Sequence, residues 1–364
     1  MPHAFPKRAD VVVIGGGFAG AATAYHLARH GVSDVVVLEK EATCGYHASG
    51  RNAAMCRQLT EDELFTDYTI KGAAFLREPP AEFCDAPLLD RTGSILLVDD
   101  PSHLTALARS AAARRLPFEL VTPESLAVRW PRLSDVPCAG GIFFASDGVI
   151  DVHALLQGFL RGARDGGARV IVNCEVTGFE PLESSLDKVS VRTSRGSIDA
   201  RCVVMAAGAW AEGLGRKANA SPHTFTPIHR HLFVTEPVAD MDKTAPFVWH
   251  VGSREFYVRG EGTGYLISGC DETEVEAHDA RVSPDAVDNL AAKLSTVAPQ
   301  LLNLGIARSW ACLRTFAPNR RPVIEWDAER SWLLWVAGLG GHGATSSAAI
   351  GEAASTKLLA RVAR

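Results

Sequence analysis

The chain has 364 residues, of which 47% are hydrophobic and 22% are charged. This composition is ordinary for a globular protein, and the length exceeds that at which a single core usually divides, so two domains are expected. The formal net charge is −5, with acidic and basic residues interspersed, which excludes nucleic acid as an expected partner and favours a small organic substrate.

The chain enters a predicted strand by residue 10, which leaves no room for a signal peptide, and no long uncharged apolar run predicts a membrane span. The eight cysteines are scattered without a CxxC pair, so neither a zinc site nor a disulfide framework is predicted. We therefore expect a cytoplasmic protein without a metal centre.

The first predicted elements are a strand, a glycine-rich turn and a helix. Residues 10–14 form a β-branched run, as a strand buried on both faces requires. Gly15 permits a tight turn, Gly17 allows the backbone to approach a pyrophosphate, and Gly20 allows the helix over 21–29 to pack closely on the sheet. This order predicts a dinucleotide-binding unit.

A second strand over 34–38 ends at Glu39, at the distance expected for a carboxylate that accepts hydrogen bonds from ribose hydroxyls. The unit alone does not choose between NAD and FAD. The chain then enters a glycine-rich stretch, 44–52, instead of alternating strands and helices. Later predicted elements are a helix capped by Asp151, a buried strand over 168–173, a hairpin of 189–193 with 197–202, and a strand over 203–205 that ends in small residues. A hairpin in place of a crossover helix favours FAD.

The remaining strands predict a second layer. They span residues 94–98, 118–121, 226–235, 255–258 and 265–269. We expect an antiparallel sheet over the flavin, with a helix from Ser283-Pro284 to Val297 on its outer face. The predicted fold is α/β (α+β as a whole), a Rossmann-like FAD-binding domain with a second antiparallel-sheet substrate domain. The FAD-binding domain comprises 1–85, 146–222 and 309–364, and the substrate domain comprises 86–145 and 223–308.

Five segments carry a resemblance to a known family: 45–54, 79–84, 206–210, 275–279 and 340–349. Over nearly its whole length the chain resembles the D-amino-acid oxidase superfamily of flavoproteins, most closely its bacterial D-arginine dehydrogenase branch. The resemblance implies noncovalent FAD. Together with the glycine unit, it implies that the cofactor is bound by Gly15, Gly17, Phe18, Ala19, Gly20, Glu39, Lys40, Ala48, Ser49, Gly50, Arg51, Asn52, Ala53, Ala54, Met55, Val176, Ala207, Gly208, Trp210, Gly340, Gly341, His342, Gly343, Ala344 and Thr345.

A physical reason supports the carboxyl-terminal part of this assignment. A helix beginning near Thr345 would direct unpaired backbone donors and its positive dipole end towards a reduced flavin. The alternative is that 340–343 form a plain turn before a surface helix.

On the substrate side, Arg230 and Arg314 match the family's two carboxylate-binding arginines, and Tyr257 matches its substrate-contacting tyrosine. A guanidinium fork suits a carboxylate, although most arginines are solvated surface groups. Tyr257 and His342 are candidates for orientation or proton handling, with structural roles as the alternative. The pair His229 and His231 on one strand face could bind a metal, but no third ligand follows and structural histidines are favoured.

The chain departs from the resembled branch at three pocket positions. Ser94 stands where that branch has a glutamate, Met55 where it has a histidine near the flavin, and Thr60 where it has a lid tyrosine. Loss of the carboxylate predicts a neutral or apolar substrate, although a serine on a strand could equally be inert. Cys312 lies in a segment that resembles the one where sarcosine-oxidase relatives attach flavin covalently. The more closely resembled branch has glycine there and binds FAD noncovalently, so a buried bystander thiol is favoured.

The predicted reaction is hydride transfer from the α-carbon of a neutral or apolar D-amino acid to FAD, followed by hydrolysis of the imino acid to a 2-oxo acid and ammonia. The electron acceptor is a quinone, another carrier or oxygen. Alternatives are an N-alkylated amino acid or a 2-hydroxy acid as substrate, or a flavin-binding subunit of a larger complex.

Overall fold

The computed structural model describes residues 4–182, 185–239 and 241–362. The strands are β1 (Arg8–Ile14), β2 (Val35–Leu38), β3 (Met55–Cys56), β4 (Leu89–Asp90), β5 (Ser94–Val98), β6 (Glu119–Val121), β7 (Gly140–Phe144), β8 (Gly148–Ile150), β9 (Arg169–Ile171), β10 (Val176–Leu182), β11 (Ser185–Thr193), β12 (Gly196–Met205), β13 (Thr226–Thr235), β14 (Phe247–Val251), β15 (Phe256–Glu261), β16 (Gly264–Ser268), β17 (Thr273–Glu274), β18 (Ile306–Phe316), β19 (Val323–Trp326) and β20 (Leu333–Ala337). The helices are α1 (Phe18–Arg29), α2 (Glu63–Arg77), α3 (Pro101–Ala113), α4 (Pro123–Arg129), α5 (Val152–Asp165), α6 (Ala211–Lys217), α7 (Ala286–Val297) and α8 (Gly343–Val362).

The first sheet is built around β1, which pairs in parallel with β2 on one side and β12 on the other. β9 extends the sheet beyond β2, and β20 pairs in parallel with the end of β12. Val11 and Val13 pack against α1, α5 and α8 on one face, and Val12 and Ile14 pack towards the β10–β11 hairpin on the other. Burial on both faces explains the β-branched run of β1.

The predicted helices and hairpin of this part are confirmed. Asp151 caps α5 by accepting a hydrogen bond from the Ala154 amide at 2.8 Å. β11 and β12 form the expected hairpin, and β12 continues without a break to Met205. β9 is only half-buried, because it is an edge strand, and so differs from the buried strand predicted there.

The second sheet has the strand order β6, β7, β5, β14, β15, β16, β13, β18. It is mostly antiparallel, as predicted, but β14 pairs in parallel with β5. Leu290 and Leu294 of α7 pack on its outer face, beside Val258 and Ile267. The opposite face carries Trp249, Tyr257 and Leu266 towards the first sheet.

Among the boundaries that differ from the sequence prediction, two have a clear structural reason. Helix α7 begins at Ala286 after Asp285, because Ser283 and Pro284 lie in the turn that precedes it. β18 belongs to the second sheet as far as Phe316, past the predicted boundary at residue 308, since its pairing with β13 continues to that residue. The division into two domains otherwise stays a prediction. No helix within the described ranges combines the length and apolarity that crossing a membrane requires.

Candidate functional site

A cavity of about 1050 Å³ lies between the two sheets and reaches from the glycine turn after β1 to the start of α8. Most of the residues predicted to bind cofactor or substrate line it. They are Gly15, Gly17, Phe18, Ala19, Glu39, Lys40, Ala48, Ser49, Arg51, Asn52, Ala53, Ala54, Met55, Val176, Ala207, Gly208, Trp210, Arg230, Tyr257, Arg314, Gly340, Gly341, His342, Gly343 and Ala344. Five other predicted residues lie behind this wall: Gly20, Gly50, Thr60, Ser94 and Thr345.

The glycine turn has no room for side chains. Gly15 has a φ of +107°, and a Cβ there would lie 2.4 Å from the carbonyl oxygen of Ala206. A Cβ on Gly17 would lie 2.8 Å from Ser49 Oγ, which accepts a hydrogen bond from the Phe18 amide at 3.0 Å. Gly17, the residue before α1, has no side chain to cap the helix, and Ser49 satisfies the first helical amide only. The start of the helix is therefore suited to an anionic group such as a pyrophosphate.

Glu39 is buried at the end of β2, and its two carboxylate oxygens accept hydrogen bonds from the amides of Gly16 at 2.9 Å and Glu41 at 3.0 Å. Each oxygen keeps a second acceptor position, so the carboxylate can still bind ribose hydroxyls. Lys40 lies 3.4 Å from the centre of the Trp210 ring. These groups close the nucleotide end of the cavity.

The start of α8 forms the opposite end. Gly340 has a φ of +53°, and Gly343 and Ala344 line the cavity at the first turn of the helix. Thr345 lies behind them, where its hydroxyl donates to the carbonyl of Met55 at 3.2 Å. The helix therefore directs its amino-terminal dipole into the cavity. A dinucleotide phosphate site at one end and a helix terminus at the other fit FAD.

Two arginines predicted to bind a carboxylate lie together at the α8 end of the cavity. Arg230 is fully buried. The only hydrogen bond of its side chain among the described residues runs from Nη2 to Glu272 at 3.4 Å, which leaves Nε and Nη1 without partners. Arg314 is half-buried beside Gly341, and its side chain makes no ion pair or hydrogen bond within the described part of the chain. These unsatisfied donors suit an anionic ligand.

Tyr257 projects into the same end and is buried. Burial raises the pKa of its hydroxyl to about 12. The hydroxyl therefore stays protonated at neutral pH and can donate a hydrogen bond.

The sequence prediction missed Arg57 and Trp249, which also line this end. Trp249 lies on β14, and the guanidinium carbons of Arg57 and Arg314 are 4.5 and 5.9 Å from its ring centre. Arg57 pairs with Glu61 at 2.6 Å. The sequence offers one sign of each residue. Arg57 is the one charged residue in the stretch 52–60, and Trp249 lies among the strand-forming residues 247–251.

His342 stacks at 6.4 Å on Trp249 and makes an edge contact with Phe65. Burial, and then the positive charges of Arg57 and Arg314, lower the pKa of His342 to about 3. Its imidazole is consequently neutral at neutral pH.

Thr60 and Ser94 were predicted in the substrate pocket, and the structure places both elsewhere. Ser94 is buried in β5, where its hydroxyl donates to Asp147 Oδ2 at 2.6 Å. Thr60 is buried against Thr66, with the two hydroxyl oxygens 3.0 Å apart. Both side chains have buried hydrogen-bond partners, and neither lines the cavity. Met55 lines the cavity as predicted.

Of the two histidines of β13, His231 has structural partners, whereas His229 Nε2 is buried without a hydrogen-bond partner among the described residues. His231 Nδ1 lies 2.8 Å from Asp271, and its Nε2 accepts a hydrogen bond from the Ser283 amide at 3.0 Å. Cys312 is a free buried thiol that pairs in register with Arg230. Burial raises its thiol pKa, and no covalent link to a flavin is shown.

Comparison with known proteins places these features among flavoproteins. A family model described as FAD dependent oxidoreductase matches residues 10–356. The sarcosine oxidase subunit beta of Rhizobium meliloti (strain 1021) is 28% identical over 333 residues, which cover 87% of this chain and 76% of that protein. Mitochondrial dimethylglycine dehydrogenase of Homo sapiens is 29% identical over 277 residues, and the match covers 73% of this chain but 31% of that longer protein.

Among solved structures, L-proline dehydrogenase from P. horikoshii superposes with a TM-score of 0.85 at 24% identity, covering 99% of this chain and 95% of that chain. At this level of identity the superposition shows a shared fold.

Proposed function

Because the chain belongs to the family of FAD-dependent oxidoreductases, we propose that it oxidises an amino acid, primary or N-methylated, at the carbon that bears the nitrogen. The observation that carries the proposal is the cluster of unsatisfied guanidinium donors on Arg230 and Arg314 at the α8 end of the cavity. An amino-acid carboxylate provides the paired acceptors that such donors match best.

The side chains at this end bind and orient the substrate. Arg314 and Arg230 hold the carboxylate, and Trp249 and Met55 provide an apolar wall beside it. Tyr257 donates a hydrogen bond through its protonated hydroxyl, and neutral His342 can accept a proton or a hydrogen bond. FAD, when bound, supplies the hydride acceptor.

The charges at this end bear on the substrate's side chain. Arg57, Arg230 and Arg314 all line the cavity, and Arg314 has no carboxylate partner among the described residues. A basic side chain would therefore bring a further cation beside these arginines. This charge pattern supports a non-basic substrate. A neutral side chain, the D-configuration, hydrolysis of the imino product and a cytoplasmic location stay predictions.

A second candidate is oxidation of an N-methylated amino acid by a chain that works inside a larger assembly. It is favoured by the similarity to the sarcosine oxidase subunit beta, whose name describes one subunit of an enzyme. In this case the electron acceptor would be a neighbouring subunit instead of a free quinone or oxygen.

The testing experiment is an anaerobic screen of flavin reduction. The purified holoprotein is mixed in turn with D- and L-amino acids, their N-methyl derivatives and 2-hydroxy acids, and loss of the oxidised flavin absorbance is followed. We expect rapid reduction by at least one non-basic amino acid. Reduction by 2-hydroxy acids alone would refute the proposal. Reduction by N-methylated compounds alone, without reoxidation of the flavin in air, would favour the second candidate. Admission of air then distinguishes oxygen from other acceptors.

A further inference from the structure

A strap formed by residues 275–283 crosses from the second sheet over the cavity. Both of its ends are tied to β13, because the Val275 amide donates to the Pro227 carbonyl at 3.0 Å and the Ser283 amide donates to His231 Nε2 at 3.0 Å. The strap residues that line the cavity are Val275, Glu276, Ala277, His278 and Ala280. The strap is therefore one wall of the space that fits FAD.

The middle of the strap is attached to the glycine-rich segment on the opposite wall through Asp279. Its carboxylate pairs with Arg51 Nη1 at 2.8 Å, accepts a hydrogen bond from the Tyr46 hydroxyl at 3.3 Å, and lies 3.9 Å from His47 Nδ1. Arg51 Nη1 also donates to the carbonyl of Ala280 at 2.9 Å. These contacts connect the segment after β2 to the second sheet across the cavity.

The other contacts of the strap are weaker and apolar. Val275 and Ala277 pack against Trp210, Ala209 and Leu313. Asp279 is consequently the one strap residue, within the described chain, whose side chain forms an ion pair with the opposite wall. Releasing this carboxylate would leave the centre of the strap held by the Arg51–Ala280 hydrogen bond and by apolar packing, and would so loosen it while its two ends stay anchored.

We propose that Asp279 is a cofactor-retaining residue that keeps the strap closed over bound FAD. The strap lines the cavity, and the side chain of Asp279 ties its centre to the opposite wall. Weakening this tie should therefore make it easier for FAD to leave. The proposal depends on FAD binding alone and is independent of the substrate's identity, so it can fail while the proposed reaction stands.

The test compares FAD release from Asp279→Asn with release from the unaltered holoprotein. Free flavin fluorescence is followed after dilution into cofactor-free buffer. Because the ion pair is partly exposed, with 46% of the Asp279 side chain accessible, we expect release to accelerate about two- to fivefold. Asp67→Asn is the matched control, since it removes a carboxylate that pairs with Arg114 at 3.0 Å outside the cavity, and it should release FAD at the original rate.

Two further measurements guard against a variant that merely folds poorly. Asp279→Glu, which keeps the charge, should restore slow release. In the unaltered protein, raising the salt concentration from about 0.05 M to about 0.5 M should accelerate release more than it does in Asp279→Asn, because salt screens the exposed pair. Equal release rates in Asp279→Asn and the unaltered protein, or an equal acceleration in the Asp67→Asn control, would overturn the proposal.

Discussion

Arg314 is the side chain on which the proposed carboxylate site depends most, because it lines the cavity without an acidic partner in the described chain. Replacing it with methionine keeps the length of the side chain and removes the donors. We expect kcat/KM to fall about 30- to 150-fold, since charge-assisted hydrogen bonds of this kind contribute about 2–3 kcal/mol. The measurement is the rate of anaerobic flavin reduction as a function of substrate concentration.

The control for this variant is Arg308→Met on the same strand. Arg308 is largely exposed and pairs with Glu261 at 2.7 Å outside the cavity. Its removal should leave kcat/KM within about twofold, because exposed ion pairs contribute little. Equal losses in both variants would show that Arg314 supports β18 and does not bind a carboxylate.

Ser94 is buried and donates a hydrogen bond to Asp147, so we expect its substitution to change stability. In Ser94→Ala the buried carboxylate of Asp147 loses a donor at 2.6 Å. We expect the free energy of unfolding to fall by about 1–3 kcal/mol, with KM unchanged. Ser253→Ala, which removes an exposed hydroxyl that donates to the half-buried Asp99, should lose far less. A changed substrate preference in Ser94→Ala would contradict the structural assignment.

The loss in Ser94→Ala should also depend on pH. Burial raises the pKa of Asp147 to about 6, above its unfolded value, so the protonated group contributes stability at low pH that is lost as the pH rises through 6. The Ser94 hydroxyl stabilises the charged form. Its removal should therefore destabilise the protein more at pH 8 than at pH 5, as measured by urea unfolding at both pH values.

At the scale of elements, α8 depends on close approach to its neighbours. A Cβ on Gly351 would lie 2.5 Å from the backbone of Ala22 in α1. Gly351→Ala should therefore force the helices apart and lower the free energy of unfolding by about 1–3 kcal/mol. Gly213 in α6 is the control, because a Cβ there would lie 3.9 Å from the nearest atom. Gly213→Ala should therefore raise the free energy of unfolding slightly, since alanine favours a helix more than glycine does. Urea denaturation tests both, and an unchanged midpoint for Gly351→Ala would show that the interface yields.

The elements that the sequence predicted best are those with local signals. The β1 strand, its glycine turn and α1 follow from residues adjacent in sequence, and β13 was predicted with its observed bounds. Helix α7 was placed too early, because Ser283 and Pro284 are good starting residues but lie in the turn before the helix. Local signals alone thus placed the elements, with errors at their ends.

The site was less predictable wherever it depends on pairing between distant residues. Asp147, the buried hydrogen-bond partner of the Ser94 hydroxyl, lies far along the chain in the turn before β8. Arg57 and Trp249 come together only because β14 pairs between β5 and β15. Asp279 lies within a recognised segment, but its pairing with Arg51 requires the whole second sheet to be in position. Sequence spacing carries no information about such contacts.

At the scale of the whole molecule, the cavity is walled by both sheets, so FAD should join them and stabilise the fold. A ligand that binds only the folded chain adds about 1.4 kcal/mol for each tenfold increase in its free concentration above Kd. The thermal midpoint should therefore rise steadily with added FAD.

The same titration distinguishes a flavin that is linked covalently to Cys312 from one that is bound noncovalently. A flavin linked to Cys312 would already be present at one equivalent, and the thermal midpoint would not respond to further FAD. In Cys312→Ser the same titration must then become concentration-dependent and the flavin must separate on denaturation. If the unaltered protein already responds to FAD and Cys312→Ser behaves identically, the thiol is a buried neighbour of Arg230 and binding is noncovalent, which is also what retention by Asp279 requires.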